Sequence, residues 1–218
     1  GSVDAFVDAM NAKAEALGCE GTHFVNATGL HDSQHYTTAW DLYLITKEAM
    51  KHEDFMRICD TARATIPATN LSEERNLYTT NYLIDTWRSL GYIYGNAHGI
   101  KTGSTDEAGY CLVSSAQRDD LSRIEARHCL VSSATEGSLS FISVALGGPR
   151  ETLADGEIRT YSFFDTREMF KWAFQNFSYQ TVLEETELVK EVSVALSKVD
   201  HVSVHPASDV ELLLPNGT

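Results

Sequence analysis

A chain of 218 residues, 43% of them apolar and 10% aromatic, carries enough hydrophobic material for a folded core, which excludes disorder as its default state. Its 17 basic against 31 acidic residues give a net charge of −14 and argue against a nucleic-acid partner, since phosphate binding needs a basic footprint. No stretch approaches the roughly 18 apolar residues of a membrane span, so any secretion signal or anchor is expected outside these residues.

Val3, Phe6, Val7, Met10, Ala14 and Leu17 recur at helical spacing, and Gly18 stands where a helix would stop, which predicts an amphipathic helix over 3–17. His23, His31 and His35 follow in a stretch containing Gly29, Asp32 and Ser33, and in such a loop the His-x-x-x-His spacing does not specify a metal site. Thr38, with Asp41 three residues on, marks a capped helix to about Met50, and a short helix is expected over 54–60. The β-branched run from Thr61 to Pro67 reads as extended, and Leu71 to Asn81 as polar loop. Met169, Phe170, Trp172, Ala173 and Phe177 give a broad apolar face to a helix over 165–177. Beyond Thr181 the period changes from 3.6 to 2 at Val192, Val194, Leu196, Val202 and Val204, which places a domain boundary near residue 180. Cys19, Cys59, Cys111 and Cys129 show no Cys-x-x-Cys spacing, so a zinc or thioredoxin-like site has no support, and no cofactor is expected.

Glu107 to Ala116 (Glu-Ala-Gly-Tyr-Cys-Leu-Val-Ser-Ser-Ala) recurs as Glu125 to Ala134 (Glu-Ala-Arg-His-Cys-Leu-Val-Ser-Ser-Ala), with eight of ten positions matching at an offset of 18. A single repeat is too short and isolated for a solenoid, so it reads as a local tandem duplication within 107–134. Either copy has the alternation to occupy one strand, and the stretch 120–127 between them is expected as exposed loop or a short helical turn.

The run Asn96-Ala97-His98-Gly99-Ile100-Lys101-Thr102-Gly103-Ser104-Thr105-Asp106-Glu107-Ala108-Gly109-Tyr110 resembles the third motif of the low-molecular-mass D-alanyl-D-alanine carboxypeptidases, penicillin-binding serine peptidases of cell-wall maturation. Two further blocks are similar to the same family. Thr22 to Leu42 resembles the stretch between its second and third motifs, and Tyr161 to Phe177 the helix closing its catalytic domain. The partner motifs Ser-x-x-Lys and Ser-x-Asn occur nowhere in the sequence. The resemblance implies an α+β fold: residues 1–180 as the C-terminal portion of a β-lactamase/transpeptidase-like domain of antiparallel sheet and helices, and 181–218 as the truncated start of a small β-rich domain. It also implies a strand from Ile100 to Thr105 that pairs with an extended peptide, and a return strand from Leu139 to Gly147.

In that family a serine attacks the D-Ala-D-Ala peptide to form an acyl-enzyme. The resemblance casts Lys101 as an ammonium near the base and the substrate carboxylate, and Thr102 as a hydroxyl to that carboxylate. Gly103 would allow close approach of substrate, the Ser104 amide would donate to the oxyanion, and Thr105 would add a carboxylate contact. An arginine near the domain's end binds the terminal carboxylate in some relatives; Arg159 is the candidate, with Ser162 falling close by. The implied partners are peptidoglycan stem peptides, β-lactam antibiotics, and either a segment bearing the nucleophile or a second copy of the chain. The implied location is the bacterial envelope, outside the cytoplasm, and the chain alone is expected to be inactive. The competing reading is a non-catalytic module that keeps the fold and binds wall peptide.

Overall fold

The computed structural model describes residues 1–88, 91–118, 139–195 and 199–217. The chain opens with α1 (Val3–Ala16), where the Ser2 hydroxyl accepts from the Ala5 amide at 3.1 Å, and continues into α2 (Ala39–Ala49), capped in the same way by Thr38. Lys13 and Glu48 join the two helices at 2.8 Å. The predicted apolar face of α1 is only half used: Val7 and Ala14 are buried, whereas Val3 and Phe6 remain 70% and 59% exposed.

Asp41 organises the loop between α1 and α2. Its buried carboxylate accepts from the Gly21 amide at 2.9 Å and the Thr22 hydroxyl at 2.6 Å. The Thr22 bond, with help from the Gly21 amide, holds this carboxyl below its ordinary pKa of 3.8. Farther along, the Asn11 side chain exchanges two hydrogen bonds with the Phe24 backbone, each 2.8 Å.

After α3 (Glu53–Cys59) the chain forms a hairpin of β1 (Arg63–Ile66) and β2 (Arg75–Tyr78). Strand β2 falls within the stretch 71–81 that the sequence pattern predicts as polar loop. Strand β2 is exposed along its whole length, so it lacks the one-sided burial that produces alternation; the Thr65 hydroxyl reaching Asn76 at 2.7 Å and the Arg63 guanidinium over Tyr78 reinforce the pairing instead.

The central sheet is antiparallel, in the order β3 (Ala97–Thr105), β4 (Gly109–Arg118), β5 (Leu139–Gly148). The first copy of the duplicated segment therefore fills the middle strand; the second copy and the stretch between the copies lie outside the described residues. A short hairpin of β6 (Arg150–Thr152) and β7 (Ile158–Thr160) leads into α4 (Tyr161–Asn176). Phe163, Phe170 and Phe174 of α4 pack with Leu112, Ala116 and Leu139 of the sheet, all nearly inaccessible, to form the core. Helix α4 starts four residues before the predicted 165 because Phe163 belongs to that core, although Thr160 offers no side-chain cap.

Strands take over at β8 (Phe177–Leu183), which pairs with β11 (Val210–Pro215) around a hairpin of β9 (Lys190–Ser193) and β10 (His201–Val204). Phe177, read from the sequence as helical, is the first strand residue. Among the described residues no helix is long and apolar enough to cross a membrane.

The depressed pKa of Asp41 carries a pH signature. A carboxyl with a lowered folded pKa contributes stability above its ordinary value and loses it as pH falls through the folded value. Asp41→Asn is expected to lower the melting temperature by several degrees at pH 7, with the gap to the unsubstituted protein closing as pH falls below 3.8, as read by thermal unfolding across that range.

Candidate functional site

The Lys-Thr-Gly motif lies on an edge strand. Among the described residues strand β3 pairs with β4 alone, so its other side presents backbone donors and acceptors outward. The pairing is interrupted between His98 and Lys101, where side chains take over from the ladder. The Gly99 carbonyl accepts from Asn81 Nδ2 at 2.5 Å and Ser114 Oγ at 2.7 Å, and the His98 carbonyl from Ser115 Oγ at 2.7 Å. Helix α3 abuts β3 here: a Cβ on Gly99 would stand 2.9 Å from the Cβ of Cys59, and Asp60 meets His98 at 3.0 Å. Burial pushes the Cys59 thiol up, against the opposing charge of Lys101.

Past the interruption the pairing is regular, with Lys101 opposite Val113, Gly103 opposite Cys111 and Thr105 opposite Gly109. Thr102, Gly103 and Ser104, together with Tyr110 and Cys111, line a cleft of about 220 Å³. Thr80 and Tyr82 border it from one segment, and Arg150, Thr160, Ser162 and Phe163 from another. The Thr80 and Thr102 hydroxyls lie 2.5 Å apart. Nothing stands within 4 Å of a Cβ built on Gly103, so a side chain there would enter open cleft.

Of the residues singled out from the sequence, the cleft thus gathers Thr102, Gly103 and Ser104. Lys101 is exposed beside it, its ammonium donating to the Thr102 carbonyl. Thr105 turns its hydroxyl to the Ala108 amide at 3.0 Å and so shapes the β3–β4 turn. Glu107 in that turn is held below its ordinary pKa by its own backbone amide and by Thr105, with the His31 imidazole 3.9 Å away linking the α1–α2 loop to the turn. Arg159 is not among the lining residues: its guanidinium lies 4.6 Å from the Phe164 ring centroid and 3.6 Å from Glu157.

Arg150 lines the cleft instead, and its signal in the sequence is indirect. Asp155-Gly156, with Gly156 at φ +84°, is a hairpin-turn pair, and closing that turn pairs Arg150 with Thr160. Tyr110 and Cys111 follow from register once the turn at 106–108 is placed. Among the described residues no group of three or more His, Cys, Asp or Glu side chains is arranged to hold a metal ion.

A family model for D-alanyl-D-alanine carboxypeptidases matches residues 1–125. The chain is 36% identical over 124 residues to the D-alanyl-D-alanine carboxypeptidase DacF of Bacillus subtilis, covering 57% of the chain and 30% of that protein. It is 28% identical over 220 residues to the D-alanyl-D-alanine carboxypeptidase DacA of Escherichia coli, covering all of the chain and 45% of the relative. The chain thus spans less than half the length of these curated relatives. Among solved structures, penicillin binding protein 5 of Haemophilus influenzae superposes with a TM-score of 0.65 at 25% identity, over all of this chain and 53% of that one.

Two glycines separate the cleft from its scaffold. Gly103→Ala adds a methyl group to open space and is expected to leave the melting temperature almost unchanged. Gly148→Ala would bring a Cβ to 2.9 Å from the Ser162 amide nitrogen and is expected to cost about 1–3 kcal/mol, read by urea unfolding.

Proposed function

Since this chain belongs to the D-alanyl-D-alanine carboxypeptidase family, we propose that it supplies the substrate-binding strand of a serine-type carboxypeptidase acting on the D-Ala-D-Ala end of peptidoglycan stem peptides in the cell envelope. The observation that carries this reading is the position of Lys101-Thr102-Gly103 on an edge strand whose Thr102 and Gly103 line a cleft. An extended peptide laid along that edge would add a strand, its backbone pairing with β3. Gly103 leaves room for its close approach.

The roles follow from placement. The Thr102 and Ser104 hydroxyls face the bound peptide, and the Ser104 amide donates to the oxyanion that forms when the scissile carbonyl is attacked. Lys101 brings positive charge to the border of the cleft, where it favours an anionic ligand and the developing oxyanion. Thr105 acts through the turn it stabilises.

The nucleophile is supplied by a segment bearing Ser-x-x-Lys and Ser-x-Asn. Its serine oxygen attacks the carbonyl of the penultimate D-Ala, D-alanine leaves with the proton taken from the serine, and water then hydrolyses the ester. No serine of this chain has a lysine three residues on to activate it. The exposed Phe6 and Trp40, 59% and 66% accessible, are surface that such a segment, or a second copy, would cover. β-Lactams, as acyl donors to the same serine, belong to the same site.

Labelling by fluorescent penicillin tests this reading. The chain alone is expected to stay unlabelled, and the chain combined with the Ser-x-x-Lys segment to become acylated. Lys101→Ala in that pair is expected to slow acylation by about 10²–10³-fold. Labelling of the isolated chain, or an unchanged rate in the Lys101→Ala pair, would contradict the assignment.

A further inference from the structure

Trp87 is 69% exposed, the most of any tryptophan in the chain, yet its surroundings hold it in place. Beneath it, the buried Asp85 carboxylate accepts from the Trp87 amide at 3.0 Å and meets Arg88 Nε at 3.1 Å, which fixes the turn that carries the ring. Beside it, the Tyr78 ring of β2 lies 6.0 Å away between centroids. The Arg63 guanidinium of β1 sits over both rings, 5.4 Å from Tyr78 and 5.8 Å from Trp87. Strand register adds the polar groups. Arg63 pairs with Tyr78 and Thr65 with Asn76, so these side chains share one face of the β1–β2 hairpin. On that face Asn76 Oδ1 accepts from Thr65 at 2.7 Å and from Arg63 at 3.4 Å, which orients the amide and leaves its nitrogen as a donor with no protein partner among the described residues.

Two strands of four residues each give a face of roughly 13 Å by 10 Å. A stable protein interface covers about 800 Å² per partner, far more than this. The face suits a sugar ring. A pyranose presents C–H groups above and below its mean plane and hydroxyls at its rim, so one side stacks on an indole while the rim takes hydrogen bonds from guanidinium and amide donors beside it. Such a ligand gains little free energy per contact, and a ring already held by Asp85, Tyr78 and Arg63 loses little freedom on binding it. The platform also shares a wall with the cleft. Arg88 donates to the Thr79 carbonyl at 3.1 Å and lies over the Tyr82 ring at 5.6 Å, and Thr80 and Tyr82 are cleft-lining residues.

We infer that Trp87, with Tyr78, Arg63 and Asn76, forms a glycan-binding platform that takes an N-acetylated hexosamine of the wall strand whose stem peptide occupies the cleft. The choice of sugar rests on the carboxypeptidase reading, since stem peptides hang from such a glycan. Trp87 is a specificity-determining residue in this account: it favours peptide carried on glycan over free peptide and takes no part in bond making.

The test is an NMR titration of the full ¹⁵N-labelled chain, following the Trp87 indole N–H and the amides of β1 and β2, with chitotetraose, cellotetraose and N-acetyl-D-alanyl-D-alanine as separate probes. The unsubstituted protein is compared with Trp87→Ala, Trp87→Phe and, as control on a distant exposed tryptophan, Trp172→Ala. Chitotetraose is expected to shift the Trp87 indole and the hairpin amides and to bind more tightly than cellotetraose. Trp87→Ala is expected to weaken it at least about 10-fold, Trp87→Phe to retain part of the affinity, and Trp172→Ala to bind as the unsubstituted protein does. Absence of shifts at the hairpin, or affinity that survives Trp87→Ala, overturns the inference, and shifts at β3 with the dipeptide then leave the peptide site standing. Equal binding of the two sugars overturns the assignment to an N-acetylated glycan. Trp87 shifts that follow protein concentration alone would give the face to a second copy and overturn the inference as well. Chitotetraose bound at Trp87 with no dipeptide binding at β3 supports the platform and counts against the peptide reading.

Discussion

The architecture depends on the two-sided pairing of β4. That strand hydrogen-bonds to β3 and β5, buries Leu112 and Ala116 under α4, and sends Ser114 and Ser115 to the carbonyls of Gly99 and His98. Those two hydroxyls, with Asn81, satisfy the acceptors that the break in the β3–β4 ladder leaves without partners. Without them a buried carbonyl would lose about 1–3 kcal/mol, which is enough to disfavour the irregular register. The irregularity is what allows β3 to serve two purposes. In its first half Ala97, Gly99 and Ile100 are buried and the backbone is clamped between α3 and the Asn81 segment, while its second half emerges as an edge.

An exposed edge is ordinarily a liability, because it templates pairing with other chains. Here its open portion is short and polar, comprising Thr102, Gly103, Ser104 and Thr105, with Lys101 charged beside them. The same features suit controlled pairing. Backbone groups of an edge strand recognise any extended peptide, so selectivity must come from what surrounds the edge, and the surrounding surface differs on its two sides. Toward α3 lie Lys101 and the Asp60–His98 pair; toward α4 lie Arg150, Ser162 and the tyrosines of the core margin.

Much of this was legible in the sequence where local chemistry and burial agree. Thr38 caps the helix it precedes, and of the apolar face read onto α4, Phe170 packs into the core while Met169 and Trp172 stay exposed. The Lys-Thr-Gly strand stands where its motif and flanking residues place it. Elements without one-sided burial were not legible: β2 is exposed on both faces, and β6 and β7 are three residues each, too short for alternation to register. The α1 pattern promised a fuller apolar interface than the described residues provide, since periodicity reports a face and not what covers it. Arg150 was out of reach for a related reason. Its neighbours Tyr110 and Ser162 are 40 and 12 residues away along the chain, and only the closure of two hairpins and the packing at Gly148 brings them around one cleft.

The central claim is that the free edge of β3 receives an extended peptide as an added strand. Amide hydrogen exchange resolved by NMR, with and without a saturating peptide ending in D-alanyl-D-alanine, tests it most directly. The account predicts slowed exchange at outward-facing amides between Gly103 and Thr105, with the β4–β5 pairing unchanged. Slowing confined to other surfaces, with the β3 edge exchanging as before, would contradict it.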